Sequence, residues 1–189
     1  MLVRDCFFDM TKAARLSNAE IYQYVGDEAI FTWKTPELNL TNSIQHYFNF
    51  RENLRQRSSY FRSQYGIVPE FKAAIHHGRV IRTQVGVLRK SIAFHGDAIN
   101  TASRIQGKCN ELGKDLLVSA AVRDGLSETF GIDSEGCYQL KGKDCKVNIF
   151  SVTELSREKF SPGRLKGTLQ KIQCKKNRMP LFRLWPNIL

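Results

Sequence analysis

Residues 94–112 read FHGDAINTASRIQGKCNEL, a turn that leads into a helix. Gly96 and Asp97 are typical of a helix entry, where an aspartate can cap the free N–H groups of the first turn. The apolar residues behind them recur at helical spacing and predict one buried stripe, formed by Ile99, Ala102, Ile105 and Cys109. Asn100 and Arg104 fall outside that stripe, so the helix carries polar groups that its own packing does not require.

Asn100 and Arg104 stand four positions apart and therefore project from one face of the helix as neighbours. An amide beside a guanidinium suits a ribose oxygen and a phosphate, because the guanidinium offers a planar fork of donors to an anion. Spacing alone equally allows a solvated amide and an ordinary surface cation, so this pattern is a hypothesis about a binding site.

A second candidate site lies at the tip of a predicted hairpin. Residues 20–25 and 28–34 have strand character, and Gly26-Asp27 between them forms a tight turn. Asp27 is thereby presented as a hard oxygen ligand of the kind that Mg²⁺ takes. A Gly-Asp pair is also common in turns that bind nothing, so the hairpin alone does not decide its role.

The rest of the chain predicts an α+β fold. Helices are expected at 2–17, 40–64 and 120–129, and strands at 116–119, 138–141 and 146–153. Residues 68–88 predict two strands with a turn near Gly78, and Ser91–His95 predicts a short edge segment. This order favours one mixed sheet covered on one face by helices. No glycine-rich loop joins a strand to a helix in the manner of a doubly wound nucleotide-binding fold.

Composition narrows the class of protein. A chain of 189 residues with 42% hydrophobic and 25% charged residues is an ordinary globular domain with a proper core. No apolar run approaches the length of a membrane span. The five cysteines are scattered and contain no Cys-x-x-Cys pair, which favours a reducing cytoplasm and argues against a zinc site.

The positive charge is concentrated at the C-terminal end. Residues 156–189 hold nine Lys and Arg against one acidic residue, which leaves +3 of the net +11 for residues 1–155. This segment has no sustained amphipathic period. We expect a basic, poorly ordered extension over residues 155–189, with contact to nucleic acid or a membrane surface as the less favoured alternative.

Three motifs together resemble a known family. YVGDEAIF at 24–31, FHGDAINTASRIQ at 94–106 and LKGK at 140–143 resemble the catalytic domain of class III adenylate and guanylate cyclases. The resemblance covers about residues 5–153, and we assign residues 1–154 to this domain. It implies a ferredoxin-like mixed sheet and active sites built between two such domains, in a homodimer or in a heterodimer with another cyclase domain.

The resemblance implies a role for each candidate residue. Asp27 is similar to the second of two metal-binding aspartates, which together hold two Mg²⁺ or Mn²⁺ ions. Asn100 is similar to the residue that orients the ribose, and Arg104 to the cation that meets the transition-state phosphate. Lys141, in LKGK, and Lys72 are similar to cations that approach the nucleotide phosphates.

The sequence departs from the family pattern in front of the hairpin. The family's first metal aspartate lies on an opening strand well upstream, whereas only 26 residues precede Asp27 here. Phe8-Asp9-Met10 imitates that motif, but Asp9 falls within the first predicted helix, and we interpret it as a solvated helix residue. We therefore expect the opening strand to be missing and the sheet to lack a central member.

The base-recognition positions leave the substrate open. The resemblance places Gln23 and Ala93 there, which match neither the adenine-reading nor the guanine-reading pair of the best-known members. A glutamine amide can donate to adenine or accept from guanine. We expect conversion of ATP to cyclic AMP for intracellular signalling in the cytoplasm, with any membrane anchor lying in upstream segments. The alternatives are a guanylate cyclase and a catalytically silent module that dimerises or binds nucleotide.

Overall fold

The computed structural model describes residues 1–33, 40–88, 90–126, 129–143 and 145–155, and the backbone of residues 178–187. The first elements are a helix and a hairpin. α1 spans Leu2–Leu16, and β1, Glu20–Val25, pairs antiparallel with β2, Glu28–Thr32. Gly26 in the turn has a φ of 63°, which glycine adopts without steric cost. These elements confirm the predicted helix and hairpin.

The single helix predicted over residues 40–64 is divided into two. α2 spans Leu40–Gln56 and α3 spans Ser58–Tyr65, with Arg57 between them at φ −97° and ψ 14°. The Arg57 guanidinium reaches Asp9 of α1, with 2.6 Å between Nη1 and Oδ2. This interhelical ion pair lies at the division, and it is a tertiary contact that local periodicity does not contain.

The middle of the chain contributes one long strand and a separate hairpin. β3 spans Glu70–Arg79 and passes through Gly78 as strand, so the turn predicted there is wrong. β4, Ile81–Val85, and β5, Ser91–His95, pair with each other in a two-stranded sheet. Gly78 serves close packing instead, because a Cβ at this position would lie 2.9 Å from Cβ of Ala98.

The predicted helix at the centre of the chain is confirmed. α4 spans Asp97–Leu112 and ends at Gly113, which has a left-handed φ of 61°. β6, Leu116–Ser119, follows and runs parallel to β3. Parallel neighbours need a long crossover connection, and α4 lies within that connection. The helix α5, Ala120–Arg123, is shorter than predicted.

The two closing strands are antiparallel neighbours, but the first one is shifted from its predicted position. β7 spans Phe130–Tyr138 and β8 spans Val147–Glu154. The strand predicted at 138–141 is therefore wrong, because Leu140–Lys143 turns and the Lys143 N–H donates to the Leu140 carbonyl at 3.0 Å. Gly142, at φ 65°, permits this turn.

The last strand of the chain lies in the middle of the main sheet. β9, Arg178–Asn187, stands between β2 and β3 in the order β1-β2-β9-β3-β6-β8-β7. It is antiparallel to both neighbours, with Leu184 opposite Ala29 on one side and Ala73 on the other. A strand thus fills the central position where the sequence predicted a gap.

This strand corrects one part of the expectation for the tail. Residues 178–187 were expected to belong to a poorly ordered extension, yet they pair with two strands. A short apolar run, LFRLW, favours a buried strand, but the prolines on either side argue against a central position because they lack an N–H donor. Residues 156–177 and 188–189 lie outside the described residues, and the domain boundary near residue 154 stays a prediction.

Helices cover both faces of the main sheet, whereas the sequence predicted one. Ala73 and Ile75 of β3 pack in the core with α1 and α2, while Ala74 packs with Ile105 and Cys109 of α4. Neighbouring residues of a strand point to opposite faces. α4 therefore lies on the face opposite α1 and α2, and the predicted α+β class with a mixed sheet is confirmed.

Candidate active site

The hairpin tip that carries Asp27 is supported by α1. Phe7 of α1 stacks on Tyr24 with 4.5 Å between ring centroids, and the Thr11 and Tyr24 hydroxyls lie 3.4 Å apart. Asp27 itself is half-buried in the turn between β1 and β2. The Asp27 carboxylate therefore lies at the tip of a hairpin whose first strand, β1, packs against α1.

The helix that carries Asn100 starts at a position that requires glycine. Gly96 precedes α4 at φ 144°, and a Cβ there would lie 2.8 Å from the Arg79 carbonyl oxygen. The predicted capping by Asp97 is wrong, since no side-chain cap bond forms at this end of α4. Asn100, one turn into the helix, is exposed as predicted.

Arg104 meets the LKGK loop. The guanidinium of Arg104 lies so close to Gly142 that a Cβ on this glycine would be 3.4 Å from Nη2 and 3.9 Å from Nη1. Lys141, the residue before it, is exposed. Leu140 is buried in the cluster that contains Ile105 of α4. The fold thus brings Arg104 and the predicted phosphate-binding Lys141 to one surface.

Lys72 lies at the other end of α4. Its Nζ donates to Oδ1 of Asn110 at 2.9 Å, near the C-terminal end of the helix. Ten residues separate Asn110 from Asn100, which corresponds to about 15 Å along a helix. The structure therefore does not bring Lys72 to the Asn100 end of α4 within one chain.

Asp27 is also far from Asn100. Ala29 and Ala73 are both paired with Leu184 of β9, so Asp27 lies level with Phe71 at the start of β3. Ala98, two residues before Asn100, packs against Gly78 near the end of β3. Seven strand residues span roughly 20 Å. One chain therefore holds Asp27 and the Asn100–Arg104 pair apart.

The two predicted base-recognition residues lie on neighbouring strands. Tyr22 of β1 and Phe94 of β5 are in contact, with ring centroids 4.7 Å apart, and the Phe94 N–H donates to the Tyr22 hydroxyl at 3.2 Å. Gln23 is exposed and Ala93 is half-buried beside this contact. Because side chains alternate along a regular strand, Ala93 faces away from Phe94, whereas the β1 register is irregular between Ile21 and Gln23.

Two further polar contacts near Arg104 were missed from the sequence. Lys143 of the LKGK loop forms an ion pair with Asp97, the first residue of α4. His76 Nδ1 lies 2.8 Å from the Ser119 hydroxyl. Burial, with smaller contributions from Lys143 and His77, lowers the pKa of His76 to about 4. The sequence offered one signal for the ion pair: Asp97 and Lys143 are oppositely charged residues of two motifs that the resemblance assigns to the same site.

Asp9 is not the solvated residue that the sequence predicted. It is fully buried and pairs with Arg57 at 2.6 Å. Burial raises the pKa of Asp9, although Arg57 opposes the shift. This carboxylate is a structural link between α1 and the α2–α3 junction.

Within the described residues, no group of three or more His, Cys, Asp or Glu side chains is arranged to hold a metal ion. The same part of the chain contains no helix that is long and apolar enough to cross a membrane.

A mixed sheet with an Asn-x-x-x-Arg helix beside an LKGK loop defines a nucleotide cyclase domain. The chain belongs to the family described as the adenylate and guanylate cyclase catalytic domain, whose model matches residues 2–154. The resemblance drawn from the three motifs is thus confirmed.

Among curated proteins, the chain is similar to adenylate cyclase 2 of Rhizobium meliloti (strain 1021), with 30% identity over 136 residues. The match covers 70% of this chain and 38% of that protein. Photoactivated adenylate cyclase subunit alpha of Euglena gracilis is 33% identical over 104 residues, covering 49% and 10%. The chain spans well under half the length of these relatives.

Solved structures share the fold. The adenylyl cyclase CyaB from P. aeruginosa superposes with a TM-score of 0.71 at 19% identity, covering 82% of each chain. The guanylyl cyclase Cya2 superposes with a TM-score of 0.68 at 16% identity, covering 85% of this chain and 80% of that one. Both kinds of cyclase therefore share this architecture.

Proposed function

We propose that this chain is an adenylate cyclase domain that converts ATP to cyclic AMP and pyrophosphate for intracellular signalling in the cytoplasm. The ribose 3′-hydroxyl attacks the α-phosphate of the same nucleotide, and pyrophosphate leaves. The observation that carries the proposal is the contact of Arg104 with the LKGK loop, one helical turn from exposed Asn100.

The residue types suit this chemistry. Charge grows on the non-bridging and leaving oxygens during attack, and the donors of Arg104 and Lys141 stabilise such charge. Ring closure requires the ribose to be held in a near-attack pose, and the Asn100 amide supplies orientation without adding charge. Lys72 donates to Asn110 at the other end of α4, and its proposed role is to bind phosphates held near the hairpin tip that carries Asp27.

Asp27 fits a divalent ion to a limited extent. Mg²⁺ is commonly held by one or two carboxylates together with substrate phosphates, so Asp27 could hold Mg²⁺ or Mn²⁺ in that way. Such ions activate a hydroxyl and neutralise phosphate charge. The pair of ions implied by the resemblance needs a second carboxylate, and β9 beside the hairpin contains no Asp or Glu in its sequence.

A dimer would complete the site. Asp27 and Asn100 are roughly 20 Å apart in one chain, so a second subunit must bring Asp27 to the Asn100–Arg104 face of the first. The β4–β5 hairpin exposes a group of apolar side chains: Ile81, Val85, Val87, Leu88 and Ile92. Exposed apolar groups of this kind mark interaction surfaces. Both observations support a homodimer, or a heterodimer with another cyclase domain.

The choice of ATP rests on the relatives named as adenylate cyclases. Gln23 and Ala93 do not distinguish adenine from guanine, and a guanylate cyclase remains the second substrate hypothesis. A silent module that dimerises or binds nucleotide is the alternative from another class. The acid-free sequence of β9 favours this alternative, because it leaves Asp27 as the candidate metal carboxylate.

The test is turnover by purified chain with Mn²⁺ and either ATP or GTP. We expect cyclic AMP, a loss of roughly 100-fold in kcat for Arg104→Ala, and a loss of roughly 10-fold to 100-fold for Asn100→Ala. Exposed Asn148→Ala and surface Arg123→Ala serve as matched controls that keep activity. Wild-type rates in both site variants would refute the roles, and no cyclic product from either nucleotide would favour the silent module.

A further inference from the structure

Two motifs of the candidate site are joined by an ion pair. Lys143 Nζ contacts Oδ2 of Asp97, although 46 positions separate the two residues. The Lys143 side chain is only 18% exposed. Thr101 supports the acid from one turn further along α4, with its hydroxyl 3.3 Å from the same carboxylate oxygen. The start of α4 is therefore fixed to the last residue of the LKGK loop.

The loop is anchored at both of its ends. Leu140 is buried against the α4 face of the sheet, and Lys143 is held by Asp97. Between these anchors, Gly142 lies against the Arg104 guanidinium and Lys141 is exposed. A change at either anchor would move the backbone on which Arg104 packs and from which Lys141 projects.

The position of Lys143 near the start of α4 depends on the negative charge of Asp97. The start of a helix carries partial positive charge, which attracts an acid and repels an ammonium group. The Arg104 guanidinium, which lies against Gly142, is a second positive charge beside the loop. Without the Asp97 carboxylate, Lys143 would lie among groups of its own sign, so the loop would move away from α4.

We propose that Asp97 and Lys143 are positioning residues that set the distance between Arg104 and Lys141, and thereby the affinity for a nucleoside triphosphate. This inference rests on the proposed function, because it concerns the same site. Asp97 is 63% exposed, and exposed ion pairs contribute little to global stability. The pair therefore acts on the local geometry of the loop, while the domain folds without it.

The experiment is a double-mutant cycle with Asp97→Asn, Lys143→Gln and the double variant. The first readout is nitrogen relaxation of the Arg104 Nε–Hε group in nucleotide-free protein. The second is the affinity for 3′-deoxy-ATP with Mg²⁺, a probe that lacks the attacking hydroxyl. Glu111→Gln is the matched control, since it breaks the Lys108–Glu111 pair of 2.6 Å on the same helix.

We expect each single variant to increase Arg104 mobility and to lower affinity about 10-fold. The double variant should bind the nucleotide no more weakly than either single variant. Lys143→Arg, which keeps the positive charge, should bind with wild-type affinity. Glu111→Gln should change neither readout. Additive losses, or unchanged Arg104 relaxation in both single variants, would refute the ion pair's role. If wild-type chain binds no nucleotide, the proposed function fails, while the relaxation data still decide whether the pair positions Arg104.

Discussion

Asp9 and Asp27 both lie in sequence patterns that resemble metal-binding motifs, but the fold gives the two carboxylates different environments. Asp27 lies at a hairpin turn and is half-buried, whereas Asp9 is fully buried and bonded to Arg57. Arg57 also stacks over the Tyr60 ring, with Cζ 4.5 Å from its centroid. Asp9 thus organises the junction of three helices, a role that the Phe-Asp-Met pattern did not indicate.

Asp9→Ala should therefore impair stability and leave metal binding intact. Breaking a buried ion pair strands its partner, and we expect a loss of about 3 kcal/mol in unfolding free energy. Urea unfolding measures this loss, with Asp124→Ala at an exposed helix end as control. Mn²⁺ binding should fall in Asp27→Ala and persist in Asp9→Ala. Loss of Mn²⁺ binding in Asp9→Ala at full stability would instead make Asp9 a ligand.

Buried His46 and half-buried His76 predict a specific pH dependence of stability. Burial lowers the pKa of His46 to about 4, and that of His76 falls to a similar value. The unfolded chain binds these protons near pH 6.5, so stability is full above pH 6.5 and falls as the pH drops towards 4. We expect unfolding to take up about one proton at pH 6.5 and close to two near pH 5. The pH dependence of the unfolding free energy in urea measures this uptake.

His46→Gln tests that linkage directly. His46 lies in the core, with Nδ1 3.2 Å from the Ser17 hydroxyl and its ring 4.4 Å from that of Phe31. Near pH 5, the variant should reduce the proton uptake on unfolding by about one. An unchanged pH slope in His46→Gln would show that this histidine titrates normally in the folded protein.

At the scale of elements, periodicity predicted the parts whose pattern is local. α1, the β1–β2 hairpin and α4 carry their own spacing and turn residues, and all three were found. The helix break at Arg57 and the true position of β7 depend on contacts made elsewhere in the chain. The same limit applied to the candidate site: the motifs gave Asn100 and Arg104, but only the fold shows what Arg104 touches.

The β4–β5 hairpin gives the element-scale prediction. Leu88 is fully exposed and Val87 almost so, which suits an interface with a second subunit. Burying a leucine contributes about 1.5–3 kcal/mol, so Leu88→Asp should weaken a dimer by roughly 10-fold or more. Sedimentation over a concentration series measures this change. Leu16→Asp, at the exposed end of α1, is the matched control.

If Leu16→Asp weakens the dimer and Leu88→Asp does not, the interface lies elsewhere and the proposed composite site needs another geometry. If wild-type chain is dimeric and both variants remain so, the exposed apolar hairpin is not the contact surface. Loss of the dimer in Leu88→Asp together with loss of turnover would support both the interface and the shared site.

At the scale of the whole molecule, β9 joins the α1–β1–β2 unit to the rest of the sheet. It pairs with β3 along the full length from Arg178 to Asn187 and with β2 through Leu181–Leu184. In the described residues, β2 and β3 have no direct ladder between them. Sequence reasoning missed this strand because its partners lie about a hundred or more residues away. Its two prolines also argue against a central strand.

Leu184→Pro should consequently destabilise the entire domain. The backbone of Leu184 lies opposite Ala29 of β2 and Ala73 of β3. A proline at this position removes an N–H donor in the middle of the sheet. A buried acceptor left unpaired costs about 1–3 kcal/mol, with backbone strain in addition. Urea unfolding and hydrogen exchange of the Ala29–Thr32 and Ala73–Ile75 amides measure the effect. Arg178→Pro, at the strand end beyond β2, is the matched control and should change little.

Equal protection of these amides in both variants would mean that the sheet holds together without β9, and the hairpin with Asp27 would then be free to move relative to α4.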